Sequence, residues 1–206
     1  MQNKIKNIAI QGIAGSFHEE ASRQFFTKCE IKFSFCDTFE HVFQQIKENN
    51  HTGVVAIENS LAGSILPNYG AIQSYNLNII GETYRKIEQN LMALPGTNLS
   101  NINEIWSHPM ALRQCQEFLN KYPKVKSVEK EDTAKSAYLI KKNQLKNTAA
   151  IASETACKMY GMNILKKGIQ SNKMNFTRFL ILSKNKTSIK QPNKATICFS
   201  VSNTTG

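Results

Sequence analysis

The 206 residues include 26 Lys/Arg against 15 Asp/Glu, a formal charge of +11, with 41% hydrophobic and 20% charged residues. That is the composition of an ordinary globular chain able to bury a sizeable core in one or two domains. No apolar run reaches the length of a membrane-spanning helix, and Met1–Lys6 leads straight into a strand-like stretch without an apolar signal region.

The five cysteines (Cys29, Cys36, Cys115, Cys157, Cys198) are scattered, with no Cys-x-x-Cys or Cys/His ligand spacing. This pattern fits a reducing cytosol and no structural metal. Charge is uneven: residues 1–92 hold 8 basic and 9 acidic side chains, residues 93–206 hold 18 and 6. A basic half can help attract an anionic metabolite. Its lysines come in dispersed pairs such as Lys141-Lys142 and Lys166-Lys167, without the interleaved aromatics of a nucleic-acid surface, so no nucleic-acid partner is expected.

In chain order, Lys4–Gln11 reads as a strand and Ser16–Thr27 as a helix with apolar residues at Phe17, Ala21, Phe25 and Phe26. Ile31–Cys36 alternates like a strand, Thr38–Glu48 reads as a helix, and Gly53–Ile57 is a short buried strand. An extended stretch runs from Asn78 through Leu94, followed by a strand near Ile105 and a helix across Ala111–Lys121. Then come a strand near Val125–Val128, a helix Thr133–Lys142, a strand Thr148–Ala152 and a helix Glu154–Tyr160. Alternation of this kind predicts parallel sheets flanked by helices, in two small α/β lobes with a cleft between them. In such folds ligands sit beyond the carboxyl ends of strands, at helix N-termini. Residues 185–193 are polar, contain Pro192 and read as a linker; Ala195–Val201 reads as the first strand of a further domain.

Four segments join a strand end to a helix start. Gly12-Ile-Ala-Gly15-Ser16-Phe-His-Glu19 has two glycines that let the backbone approach a ligand, and a Ser16/Glu19 capping box. Glu58-Asn59-Ser60 follows the buried strand, where an acid, an amide and a hydroxyl are costly to bury without a ligand or partner network. Ser107-His108-Pro109 places proline at a first helical position, with Gln114 in the following turns. Asp132-Thr133-Ala134 offers Thr133 as an N-cap. A fifth segment, Asn175-Phe176-Thr177-Arg178-Phe179, sets polar groups at the entry of an apolar strand; Arg178 has the fork for a carboxylate and Thr177 a hydroxyl. Taken singly, the others read as a cap or a surface ion pair, whereas Glu58-Asn59-Ser60, which a turn alone could also explain, sits where the cleft should be.

Together, GIAGSFHEEA, IENSLAGSI, SHPMALRQC, DTAKSA, AAIASETACKMYG and NFTRF resemble prephenate dehydratase over Ile8 to Leu182. The resemblance implies a two-lobed fold like the type II periplasmic binding proteins, with lobe 1 at about residues 1–77 plus 165–184 and lobe 2 at about 78–164. It also implies that residues 194–206 begin an ACT regulatory domain, that the enzyme pairs as a homodimer or homotetramer, and that phenylalanine acts as effector where that domain is complete. The implied reaction is the decarboxylative dehydration of prephenate to phenylpyruvate, without cofactor or metal. By position, Thr177 matches the essential threonine; Asn59, Ser60, Ser107, Gln114 and Thr133 fall on the cleft with Glu58 beside them, and Arg178 belongs to the same motif as Thr177. Helix N-termini at Ser16, Ser107 and Thr133 are expected to cradle carboxylates. Two positions depart from the pattern: Ala56 stands where proline is common, which should alter only loop rigidity, and Met110 where glutamine is frequent. Arogenate dehydratase, and a non-catalytic metabolite-binding module of the same fold, are the alternatives.

Overall fold

The computed structural model describes residues 5–186, 193–197 and 199. The described elements are β1 (Ile5–Gln11), α1 (Phe17–Phe25), β2 (Glu30–Cys36), α2 (Phe39–Asn49), β3 (Thr52–Asn59), β4 (Gly63–Ser64), α3 (Leu66–Ser74), β5 (Asn78–Lys86) and β6 (Asn90–Ala93). They continue with β7 (Glu104–Ser107), α4 (Pro109–Gln114), α5 (Gln116–Leu119), β8 (Lys126–Glu129), α6 (Thr133–Lys142), β9 (Thr148–Ala152), α7 (Glu154–Met159), β10 (Asn163–Lys166) and β11 (Phe176–Ser183).

Two sheets form two lobes. The first runs β2-β1-β3-β11-β5, with β4 against β3; the second runs β10-β6-β9-β7-β8. Neither is purely parallel, contrary to the expectation from strand–helix alternation. Each has a parallel trio (β2, β1 and β3; β8, β7 and β9) extended by antiparallel strands. The departure comes from long-range returns that local periodicity does not encode: β11 comes back from the end of the second lobe to lie between β3 and β5.

That return also corrects the lobe boundaries. Asn78–Lys86 lies in the first sheet, paired along β11, and β10 lies in the second, paired with β6. The chain therefore crosses between lobes at residues 87–89 and again at 167–175. The predicted helix 111–121 is divided at Cys115 into α4 and α5. The strand expected over Ala195–Val201 falls partly outside the described residues; Ala195–Ile197 and Phe199 are in no strand.

Period-two alternation divides each sheet's side chains between two cores. In the first lobe Ile8, Ile10, Val54, Ala56, Phe179 and Ile181 pack with Ala21 and Phe26 of the α1 region. Ala9, Val55, Ile57, Leu180 and Leu182 face the other way, against Val42, Phe43 and Ile46 of α2. In the second lobe Leu91, Ala93, Ile105 and Ile151 meet α4 and α5, while Met92, Leu94, Ala150 and Ala152 meet α6 and α7. On β11 the alternation turns Thr177 and Phe179 to one face and Arg178 to the other; on β3 a bulge at the step from Arg178 to Phe179 in the register breaks it, so that Ala56 and Asn59 share a face.

The lobes also touch through the turn that precedes α1. Ser153 Oγ donates to the Gly15 carbonyl at 2.7 Å, Tyr160 Oη donates to the Ala14 carbonyl at 2.6 Å, and Thr155 Oγ1 donates to Glu20 at 2.5 Å. Gly15 has φ +87°, and a Cβ there would lie 2.9 Å from the Ala156 Cα. Gly63 has a similar φ of +82° with open space around it. Gly15→Ala combines backbone strain with a lobe–lobe clash, whereas Gly63→Ala carries strain alone, which costs on the order of 1 kcal/mol. Thermal melts are therefore expected to show a clearly larger fall in Tm for Gly15→Ala; equal falls would show that the lobes part freely at this contact.

Candidate active site

A cavity of about 570 Å³ lies between the lobes, a size suited to a small ligand. Four helix starts open onto it: Ser16 before α1, Thr38 before α2, His108 before α4, and Asp132 with Thr133 at α6. Helix starts present unpaired N–H groups and the positive end of the helix dipole, so this arrangement favours anionic groups. No lysine or arginine lines the cavity among the described residues, and its carboxylates are Asp37, Glu131 and Asp132.

The caps are specific. Ser16 Oγ accepts from the Glu19 N–H at 3.3 Å, and the Glu19 carboxylate accepts from the Gly15 N–H at 2.8 Å, one residue earlier than in a standard capping box. At α6 the cap is Asp132, whose Oδ1 accepts from the Lys135 N–H at 2.7 Å; Thr133, the predicted cap, is the first helical residue and lines the cavity. Burial raises the Asp132 carboxyl pKa above its ordinary value, against the backbone hydrogen bond from Lys135. His108 accepts from the Met110 N–H at 3.2 Å through Nδ1, so in its neutral form its proton sits on Nε2; burial lowers its pKa, against the charges of Asp132 and Glu129.

The floor of the cleft is an amide network spanning both lobes. Thr177, 9% exposed, sits opposite Asn59 in the β11–β3 register. Asn59 Nδ2 donates to Asn175 Oδ1 (2.8 Å) and Thr177 Oγ1 (3.0 Å), with the Phe176 carbonyl at 3.2 Å. Asn59 Oδ1 accepts from the Leu61 and Ala62 N–H groups, both at 3.0 Å, and from Gln114 Nε2 at 3.4 Å. Asn175 Nδ2 donates to Gln114 Oε1 at 2.8 Å. Thus Thr177, Asn59 and Gln114, three of the residues expected on the cleft, come together, with Ser16 and Thr133 on its walls.

Four expected residues do not line the cavity. Arg178 follows Thr177 on a strand, so its side chain projects from the opposite face. There its guanidinium meets Glu82 at 2.7 Å and Glu58 at 3.8 Å. Glu58 stands opposite Arg178 in the register and shares that face. Ser60 Oγ donates to the Met174 carbonyl and accepts from the Phe176 N–H, tying the loop to β11. Ser107 is fully buried, its hydroxyl donating to the Ile151 carbonyl at 2.6 Å, so it braces the β7 end behind His108.

Sequence reasoning passed over His18, Thr38, Phe39, Gln89 and Asp132. For Thr38 and Asp132 the signal was present, since both are N-capping types before a helix. His18 is buried beside Phe39 and Phe179, and its Nε2 accepts from the Ala56 N–H at 3.3 Å. Ala56 therefore does more than loosen a loop: a proline at 56 would have no N–H to give His18.

Residues 8–187 match the family model for prephenate dehydratase. The chain belongs to the prephenate dehydratase family. It is 38% identical over 178 residues to arogenate dehydratase/prephenate dehydratase 2 of Arabidopsis thaliana, covering 86% of this chain and 46% of that one. It is 32% identical over 195 residues to the bifunctional chorismate mutase/prephenate dehydratase of Escherichia coli, covering 92% and 50%. The chain thus spans about half the length of these curated relatives. The prephenate dehydratase of Arthrobacter aurescens, solved with L-Phe, superposes with a TM-score of 0.82 at 26% identity, covering 90% of this chain and 63% of that one.

Two outcomes follow for the site. Arg178→Lys should leave the KM for substrate within about threefold and cost about 1 kcal/mol of stability by disturbing its contacts to Glu82 and Glu58; a KM rise of tenfold or more would place Arg178 on the ligand. Burial lowers the His18 pKa from 6.5 to about 4. The unfolded chain therefore takes up the proton first, and stability is lost as pH falls from about 6.5 towards 4. Between pH 7 and 4, denaturant titrations should show the parent losing about 3 kcal/mol more than His18→Gln; equal losses would mean that His18 is protonated in the folded protein.

Proposed function

We propose that this chain acts as a prephenate dehydratase, a carbon–oxygen lyase that converts prephenate to phenylpyruvate, water and carbon dioxide with Thr177 at the reacting hydroxyl. In this reaction the ring carboxylate leaves as carbon dioxide and its bond pair becomes a ring double bond. The C–O bond to the ring hydroxyl breaks, and that hydroxyl takes one proton, delivered from solvent, to leave as water. The carrying observation is the direction of the bond between Asn59 and Thr177. The Asn59 amide nitrogen has only hydrogens to offer, so Thr177 accepts there and keeps its own O–H for the leaving oxygen. One such donor can be worth roughly 3 kcal/mol, a factor of about a hundred or more.

The substrate's acid groups fit the first-turn N–H groups around Ser16, Thr38 and Thr133, and the apolar surface of Phe39, Ile65 and Phe179 suits a carboxylate about to become neutral carbon dioxide. Cofactor and metal have no part in this scheme. A cytosolic setting agrees with the free thiols of Cys29, Cys36, Cys115 and Cys157. Homodimer or homotetramer assembly, and phenylalanine as effector where a regulatory domain follows, belong to the same reading.

One observation supports arogenate as a second substrate. Arogenate carries an ammonium where prephenate has a keto group, and the cavity wall has the carboxylates of Asp37, Glu131 and Asp132 without a lining cation among the described residues. Glu131 and Asp37 already meet Lys135, at 2.6 and 3.9 Å, which leaves Asp132 the best placed for an ammonium.

Purified protein incubated at neutral pH with either substrate should release phenylpyruvate or phenylalanine. Thr177→Ala should fold normally yet turn over at least about a hundredfold more slowly, and Thr177→Ser should recover most of the rate. Near-normal turnover by Thr177→Ala would remove Thr177 from the mechanism. No turnover of either substrate by the parent would leave the binding-module reading in its place.

A further inference from the structure

The amide network has a polarity, and it is anchored in the backbone. Backbone N–H groups of Leu61 and Ala62 can only donate, so the Asn59 atom they meet is its oxygen. Its nitrogen then faces Asn175 and Thr177. That makes the Asn175 atom at 2.8 Å an oxygen, and the Asn175 nitrogen donates to Gln114 Oε1. The same Gln114 oxygen lies 3.5 Å from the Gln89 amide nitrogen. Each orientation is set by the one before it, so the Gln89 oxygen is the end of the chain.

That oxygen has no donor among the described residues and is itself closed to solvent, on a residue that is 3% exposed and part of the cavity wall. A buried acceptor left unmet is costly, so its place beside a ligand cavity needs a reason. The two groups left over by the network are complementary: a hydrogen on Thr177 and an acceptor on Gln89. A hydroxyl group is both acceptor and donor, and takes both at once.

The geometry points to Gln89 as a second contact for the substrate's ring hydroxyl: the Gln89 side chain turns its closed-off oxygen to the cavity surface, the hydroxyl donates to Gln89 Oε1, and its oxygen accepts from Thr177. This rests on the assignment of Thr177 to the leaving oxygen. Gln89 then orients the hydroxyl, turning a lone pair towards Thr177 before the C–O bond breaks, and so selects ligands that bear a hydroxyl over those that have lost it. The backbone holds Gln89 in position: its N–H donates to Gln170 Oε1 at 3.0 Å and its carbonyl accepts from the Ile169 N–H at 2.8 Å, which joins the two inter-lobe crossings.

The test uses a ligand pair that differs at that hydroxyl. Prephenate carries it; phenylpyruvate, the product, does not. Gln89→Met and Gln89→Leu keep comparable bulk and remove the acceptor. Both are expected to lose about tenfold or more in kcat/KM for prephenate, while the inhibition constant of phenylpyruvate stays within about twofold of the parent's. Retained phenylpyruvate binding also shows that the cleft is intact. Equal weakening of both ligands, or loss of phenylpyruvate binding in both variants, would mean that Gln89 supports the wall and would overturn the proposal, as would unchanged kcat/KM. Failure of the underlying reading is separately visible, as absence of turnover in the parent or full activity in Thr177→Ala.

Discussion

Asn59 has two kinds of partner, and everything at the floor of the cleft depends on their being different. On one side the main chain of the following turn takes its oxygen; on the other, side chains from the returning strand take its nitrogen. Since a backbone N–H cannot reverse its role, the direction of each neighbouring amide is inherited from a turn that is itself closed by the short β3–β4 pairing. The chemistry at Thr177 is thus set by tertiary structure: the hydroxyl is ordinary, but the acceptor half of it is already occupied.

The two-lobed frame serves the same end. Residues 87–89 and 167–175, the crossings between lobes, carry Gln89 and Asn175, and Gln114 comes from the second lobe to close the network. The contacts of Ser153, Thr155 and Tyr160 with the turn before α1 add a second tie between the lobes. Hydrogen bonds of 2.8 to 3.5 Å that span two bodies need those bodies fixed, and crossings plus latch provide that.

Much of this was legible in sequence. Helix 133–142 and strand 148–152 were readable to the residue, because apolar spacing and the residues that bound them agree there, although the cap proved to be Asp132 and not Thr133. Thr177, Asn59 and Gln114 were reachable through motif resemblance. Sheet order was not, because the return of β11 between β3 and β5 is a long-range pairing with no local signature. Arg178 and Glu58 were misplaced for a simple reason: adjacency in a motif was taken as adjacency in space, whereas neighbours on a strand face opposite ways. Gln89 carried no signal at all, standing between Glu88 and Asn90 in a polar run; its meaning lies only in what Gln114 does with its oxygen.

His18 and Ala56 have a bearing on how this sequence could vary. The imidazole is enclosed by Phe39 and Phe179, and its acceptor nitrogen is met by the main chain at 56. An imino acid at 56 would strand that nitrogen, and an imidazole introduced at 18 over such a residue would be stranded in the same way. The two positions are therefore chemically coupled across 38 residues of chain: proline at 56 removes the N–H that His18 needs, whereas any other residue there keeps it. Descent by single changes towards a proline at 56 passes through a state in which one buried nitrogen, in the ring at 18 or in the main chain at 56, has lost its partner.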